Sequence, residues 1–179
     1  VNDSYKKWKN ISIKNRSFLL LELAENLESN KLQYGKVITE EIGKPIKESI
    51  LEIIKCSSVC KYYAENSESF LRNDYIKTEN SKSYVQYNPL GVVFGIMPWN
   101  FPFWQVFRFV APSLMAGNVC LLKHASNTLG SAVLIDNIIN KLSPVKNIFK
   151  NVIVNSDRVS GLIKDSRIAA VTLTGGEIA

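Results

Sequence analysis

The sequence predicts an α/β protein: N-terminal helices, then part of a doubly wound parallel (Rossmann-like) sheet. Three observations carry this reading. Apolar residues in the first third recur at helical spacing, as in Leu20, Leu23, Ala24 and Leu27. After Ser83, apolar runs of strand length alternate with stretches of helix length, the pattern of a parallel sheet with helical crossovers. The runs also close on polar or small residues, and open α/β sheets bind ligands beyond the carboxyl ends of their strands.

Element by element, a first helix carries Leu20 to Leu27 and a second runs through Val37, Ile38 and Ile42. Gly43-Lys44-Pro45 separates the second helix from a third, because Gly suits a helix end and Pro a first turn. The third helix has an expected stripe of Ile46, Ile50, Ile53, Ile54, Cys60 and Ala64, and the polar stretch 72–82 reads as loop. Alternation makes 83–87 a strand, Asn88-Pro89-Leu90-Gly91 a turn, and 92–97 a strand buried on both faces. Helix 103–115, strand 119–123, a helix through Ala132, Ile135, Ile139 and Leu142, strand 152–154, helix 159–164 and strand 169–173 complete the order. The four buried strands would form one sheet. The chain divides at 1–82, 83–91 and 92–179.

Bulk properties exclude several function classes. The 179 residues suit one domain, or one domain and part of another. The 22 Lys and Arg against 16 Asp and Glu are scattered, which argues against a nucleic-acid face and for a mildly basic surface that favours anionic ligands. The span 90–107 is long enough for a membrane test but holds Pro98, Asn100, Pro102 and Gln105, so no membrane segment is expected. Residues 1–10 lack the apolar centre of a secretory signal. Cys56, Cys60 and Cys120 fit neither a disulfide framework nor a zinc site, and a reducing, cytoplasmic setting is expected. His124 is the only histidine, with no companion ligand, so a metal site is not expected.

Neither a G-x-G-x-x-G fingerprint nor a P-loop occurs. The strand ends carry Pro98-Trp99-Asn100, Lys123-His124-Ala125-Ser126, Asn155-Ser156 and Thr174-Gly175-Gly176, which together suggest a nucleotide site. These pieces stand in order with Glu41-Ile42-Gly43-Lys44-Pro45, Asn88-Pro89-Leu90-Gly91-Val92, Pro98-Trp99-Asn100-Phe101-Pro102, Ala111-Pro112 with Ala116-Gly117-Asn118, and Val171-Thr172-Leu173-Thr174-Gly175. In that order and spacing, from about Ser17 onward, the sequence resembles the aldehyde dehydrogenase superfamily, in particular its bacterial succinate-semialdehyde branch.

The resemblance implies roles. In the family a cysteine thiolate attacks the aldehyde, hydride passes to a nicotinamide, and a glutamate-activated water releases the acid. Asn100 would donate its amide to the oxyanion, where preorganised donors act on developing charge. Trp99, Asn100, Lys123, His124, Ala125, Ser126, Gly175 and Gly176 would contact the cofactor, with Lys123 on the adenosine ribose. NAD-preferring members carry Glu where Ser126 stands; a small neutral Ser lets NADP fit, with NAD still possible. Gly176 replaces a common Ser, so a backbone amide, not a hydroxyl, would meet the pyrophosphate at a helix N-terminus. Arg108 would hold the far carboxylate of the substrate, a planar guanidinium being suited to bidentate pairing. Phe101, Trp104 and Phe107 would line the aldehyde tunnel, although as bare aromatics they read as core.

By the same resemblance, 1–82 is the helical part of the cofactor domain, 83–91 belongs to the oligomerisation element, and 92–179 is an incomplete cofactor-binding core. The family's nucleophilic Cys and general-base Glu lie downstream of Thr174-Gly175-Gly176, and the sequence ends at Ala179. An N-terminal fragment, inactive alone and lacking the catalytic domain, is therefore expected. Its parent would oxidise an aldehyde with a distal carboxylate, succinate semialdehyde, as a homo-oligomer. The alternative is a truncated nucleotide-binding or subunit-interaction module without activity.

Overall fold

The computed structural model describes residues 1–176. Four helices come first: α1 (Asn2–Trp8), α2 (Ile13–Ser29), α3 (Lys31–Ile42) and α4 (Ile46–Leu71). Helix α1 was not apparent in the polar first ten residues. Its one buried side chain, Trp8, is fully enclosed and donates its indole N–H to the Leu114 carbonyl at 3.1 Å. Ser12 caps α2 by accepting from the Asn15 amide. Gly43 ends α3 in the left-handed region at φ 70°, where a side chain would be strained, and Pro45 then stands immediately before α4.

The buried face of α4 contains Ile53 and Cys60 of the expected stripe but is shifted from it toward polar residues. Ile46 is exposed, whereas Ser49, Glu52, Ile53, Cys56, Ser57 and Cys60 are buried. The face is set by tertiary partners: Ser57 Oγ donates to the Ala24 carbonyl of α2, and Ser49 Oγ lies 3.0 Å from Thr39 Oγ1 of α3. Polar side chains that bond across helices can replace apolar ones on a packed face.

Strands β1 (Asp74–Tyr75) and β2 (Tyr84–Val85) pair antiparallel, so the strand expected at 83–87 shrinks to two residues and its partner comes from the stretch expected as loop. The main sheet holds β3 (Val92–Met97), β4 (Val119–His124), β5 (Phe149–Asn151) and β6 (Ile168–Leu173), parallel, in the order β5-β4-β3-β6. Helices α5 (Trp104–Met115), α6 (Leu129–Leu142) and α7 (Ser156–Ile163) connect them. The tight turn into β4 uses Gly117 at φ 87°, and Asn118 Oδ1 accepts from the Leu90 and Gly91 amides to lock the start of β3 beside it.

Two strands correct the sequence reading. β5 lies at 149–151, not at the more β-prone 152–154. It is an edge strand, and α6 satisfies its outer groups: Asp136 Oδ2 accepts from the Asn151 amide and Asn140 Nδ2 donates to the Phe149 carbonyl. Ile153 is correspondingly 65% exposed. β6 is not buried on both faces; Val171 and Leu173 are exposed because one face of this edge is uncovered among the described residues. β3 is the buried centre, as expected.

Candidate functional site

The carboxyl ends of β3, β4 and β6 open onto a groove of about 580 Å³. Lys123 and Ala125 line it from the β4 side, Pro98 and Trp99 from the β3 side, and Thr174, Gly175 and Gly176 from the β6 side. Val159, Ile163, Val171 and Leu173 give it an apolar wall. A depression of about 270 Å³ adjoins it, where Asn100 and Gln105 face Thr174 and the glycine pair. A third, of about 390 Å³, runs under Ser126 to Asn155 and Arg158. No carboxylate lines any of the three among the described residues.

The parallel sheet brings the segments together. β3 and β4 are in register from Val92 opposite Val119 to Met97 opposite His124, so the loops after Met97 and His124 leave the sheet side by side. Asn100 is exposed in the first of these loops, and its side chain has no hydrogen-bond partner among the described residues. An uncommitted amide is available to an incoming oxygen. Ser126 is exposed in the second loop, and the Lys123 ammonium forms no ion pair among the described residues.

His124 is the brace between the loops. It is almost fully buried; the Ala125 amide donates to Nδ1 at 2.8 Å, which leaves the proton on Nε2 to donate to the Pro102 carbonyl at 2.9 Å. Burial holds its pKa below the ordinary imidazole value, partly offset by the Pro102 bond. Both ring nitrogens are therefore committed within the protein, and His124 holds the loop shape.

Sequence reasoning missed a second brace, Glu52. Its carboxylate is buried on α4, accepts the Phe103 and Trp104 amides through Oε1 at 2.9 and 3.0 Å, and pairs with Lys44 through Oε2 at 2.5 Å. Lys44 also sits 3.7 Å above the Phe101 ring. The start of α5, and so the loop that carries Asn100, is fixed by these contacts. The available signal was a carboxylate at helical spacing from Ser49 and Cys56 on the buried face of α4.

Arg108 is exposed on α5 and donates to Oγ1 of the groove-lining Thr174 at 2.6 Å, with no carboxylate partner among the described residues. Of the three tunnel aromatics, Phe101 is exposed beneath Lys44 and Trp104 is half-buried beneath Lys55. Phe107 is a correction: it is fully buried, stacked on Phe103 with ring centroids 6.3 Å apart, because it lies on the core side of α5. The helix expected after Gly176 lies outside the described residues. Cys56, Cys60 and Cys120 are all fully buried, and burial pushes each thiol well above its ordinary range, so none is an activated nucleophile. No metal-binding cluster and no helix long and apolar enough to cross a membrane occur among the described residues.

The parallel sheet with helical crossovers has a Rossmann-like fold, and its strand ends carry a lysine, small neutral residues and a glycine pair. The chain belongs to the aldehyde dehydrogenase family, whose family model matches residues 2–179. It is 41% identical over 175 residues to a probable NADP(+) succinate-semialdehyde dehydrogenase of Synechocystis sp., covering 98% of this chain and 38% of that protein. It is 38% identical over 171 residues to an NAD(P)+ succinate semialdehyde dehydrogenase of Escherichia coli, covering 96% of this chain and 37% of that one. The crystal structure of succinic semialdehyde dehydrogenase from Streptococcus pyogenes in complex with NADP+ superposes with a TM-score of 0.94 at 30% identity, over 99% of this chain and 39% of that chain. The chain thus spans under two fifths of the length of these relatives.

Proposed function

We propose that this chain forms the cofactor-binding and oxyanion-binding part of an NADP-linked dehydrogenase that oxidises succinate semialdehyde to succinate. The observation that carries the reading is that Asn100, in the β3–α5 loop, and Arg108, on α5, converge on Thr174: Asn100 lines the same depression, and Arg108 donates to Thr174 Oγ1. A neutral donor and a free guanidinium at one end of a nucleotide groove suit an aldehyde that ends in a carboxylate.

The residues present fit a dinucleotide. The apolar wall of Val159, Ile163, Val171 and Leu173 offers a face to adenine, and Lys123 a cation to the ribose. The backbone at Gly175 and Gly176 can approach a pyrophosphate closely, since nothing crowds Gly176 within 4 Å. The absence of a carboxylate at position 126 admits a 2′-phosphate, and NAD also fits. A bound nicotinamide would supply the hydride acceptor. Asn100 stabilises the substrate oxygen as charge develops on it, Arg108 anchors the distal carboxylate, and His124 and Glu52 hold the loop geometry. The relatives' names support this substrate and cofactor. In the complete enzyme the segment 83–91 belongs to the oligomerisation element of a homo-oligomer, 1–82 and 92–179 to the cofactor domain, and the cytoplasm is the compartment.

The test is substrate selectivity in the complete enzyme. Arg108→Ala should lower kcat/KM for succinate semialdehyde by about 10²-fold or more, the cost of losing a bidentate charge-assisted pair, and change an uncharged aldehyde little. Equal losses on both substrates would remove the carboxylate role.

A further inference from the structure

Ser126 permits a 2′-phosphate but does not by itself select one. The cavity under it contains a group that could. This depression of about 390 Å³ is bounded on one side by the loop after β4, with Ser126 and Leu129, and on the other by the segment 152–155 and Arg158 of α7. Among the described residues Arg158 is the exposed cation of this wall; His124, the other basic group there, is buried, and burial disfavours its charged form. The cavity continues the groove, because Ala125 and Ser156 line the groove while their neighbours Ser126 and Asn155 line the cavity.

Rested on the cofactor reading above, we propose that Arg158 is a specificity-determining residue that binds the 2′-phosphate of an adenosine ribose seated at Lys123. The ribose position follows from Lys123 at the end of β4, and the next residues toward α7 are those of the Ser126 cavity. A phosphomonoester there meets a hydroxyl from Ser126 and a guanidinium from Arg158, with no carboxylate on the wall to oppose it. Of the acids nearby, Glu41 is committed to the Gly130 and Ser131 amides and the Ser131 hydroxyl, and Asp157 does not block this. Its contact with Arg158 Nε is 3.7 Å long, and both side chains are largely exposed, at 79% and 70%. An exposed pair of that length contributes little and yields readily to a dianion. Arg158 thereby turns a site that merely tolerates the extra phosphate into one that prefers it.

The adenosine end of the groove lies wholly within the described residues, so the 179-residue chain can be titrated directly. Binding of adenosine 2′,5′-bisphosphate and of adenosine 5′-monophosphate is followed by amide chemical shifts, which register millimolar affinity, with circular dichroism confirming that each variant is folded. The chain should bind the bisphosphate more tightly, with shifts at 123–126 and 152–158. Arg158→Ala should weaken the bisphosphate about tenfold and leave the monophosphate unchanged, and Arg158→Lys should recover part of the loss. Asp157→Asn should tighten the bisphosphate. If the folded chain binds neither nucleotide, the cofactor reading fails and the Arg158 role with it. If the chain prefers the bisphosphate and Arg158→Ala keeps that preference, the cofactor reading stands and the Arg158 role is refuted. Equal affinity for the two nucleotides in the unaltered chain, or equal weakening of both in Arg158→Ala, refutes the Arg158 role as well.

Discussion

Glu52→Ala should be among the most damaging single substitutions in this chain, although no part of Glu52 touches the groove. The side chain of Glu52 is 1% exposed and that of its partner Lys44 is 13% exposed. Truncation strands a desolvated ammonium and frees two amides at the start of α5. Removing one partner of a buried pair costs about 3–5 kcal/mol, mostly because the other charge stays behind. The Phe103 amide, whose bond is buried, is left unsatisfied as well, and it adds to that cost. A loss of that size is a large share of the roughly 5–15 kcal/mol typical of a folded domain. For a chain of this length it lowers Tm by roughly 6–20 °C. Urea unfolding monitored by tryptophan fluorescence measures it, and a constant slope with denaturant confirms a two-state comparison. Lys44→Met in the same chain should recover about 1–3 kcal/mol, because the stranded charge is then gone. A cost below about 1 kcal/mol for Glu52→Ala, or no recovery in the double variant, would refute the buried brace.

Two further outcomes follow from the packing and the imidazole. A methyl added at Gly95 would lie 2.5 Å from Phe109 Cζ, so Gly95→Ala should cost about 1–3 kcal/mol in urea unfolding as the ring is displaced; an unchanged midpoint would show that α5 does not press on β3 there. Burial lowers the pKa of His124 in the folded state, so below about pH 6.5 the unfolded chain takes up a proton that the folded chain refuses, and stability falls as pH drops through that window. Tm measured at about pH 7.5 and about pH 5.5 should fall more in the unaltered chain than in His124→Gln; equal falls would place the imidazole elsewhere.

What the sequence revealed, and what it hid, divides by the range of the forces involved. β3 and β4 were legible because an unbroken apolar run buried on both faces is written in consecutive residues. β5 was misplaced by three residues because Val152, Ile153 and Val154 have the stronger local preference, while its register is held by Asp136 and Asn140 on another element. Helix α1 was hidden because only Trp8 of its seven residues is buried. Motif order was enough to put Asn100, Lys123, Ser126 and Gly175 together at the strand ends, where they line the adjoining depressions. Arg158 was not legible in this way: nothing local distinguishes it from any surface arginine until the fold sets it across a cavity from Ser126.

The two acids missed as structural groups give the Glu41-Ile42-Gly43-Lys44-Pro45 segment a physical meaning. Glu41 accepts the Gly130 and Ser131 amides and the Ser131 hydroxyl, at the first turn of α6. Glu52, on the far side of Gly43 and Pro45, does the same for α5. Each carboxylate meets orphan N–H groups at the positive end of a helix dipole, the most favourable place for a negative charge on a helix. Those two helix starts terminate the two loops that carry Asn100 and Ser126. Gly43 provides the left-handed turn that lets α3 end and α4 begin, with Glu41 reaching α6 and Glu52 reaching the start of α5, and Lys44 neutralises the second of them. The helical layer thus sets the separation of Asn100 from the loop that carries Ser126, and a substitution in it can move the proposed site without touching any residue that lines the groove.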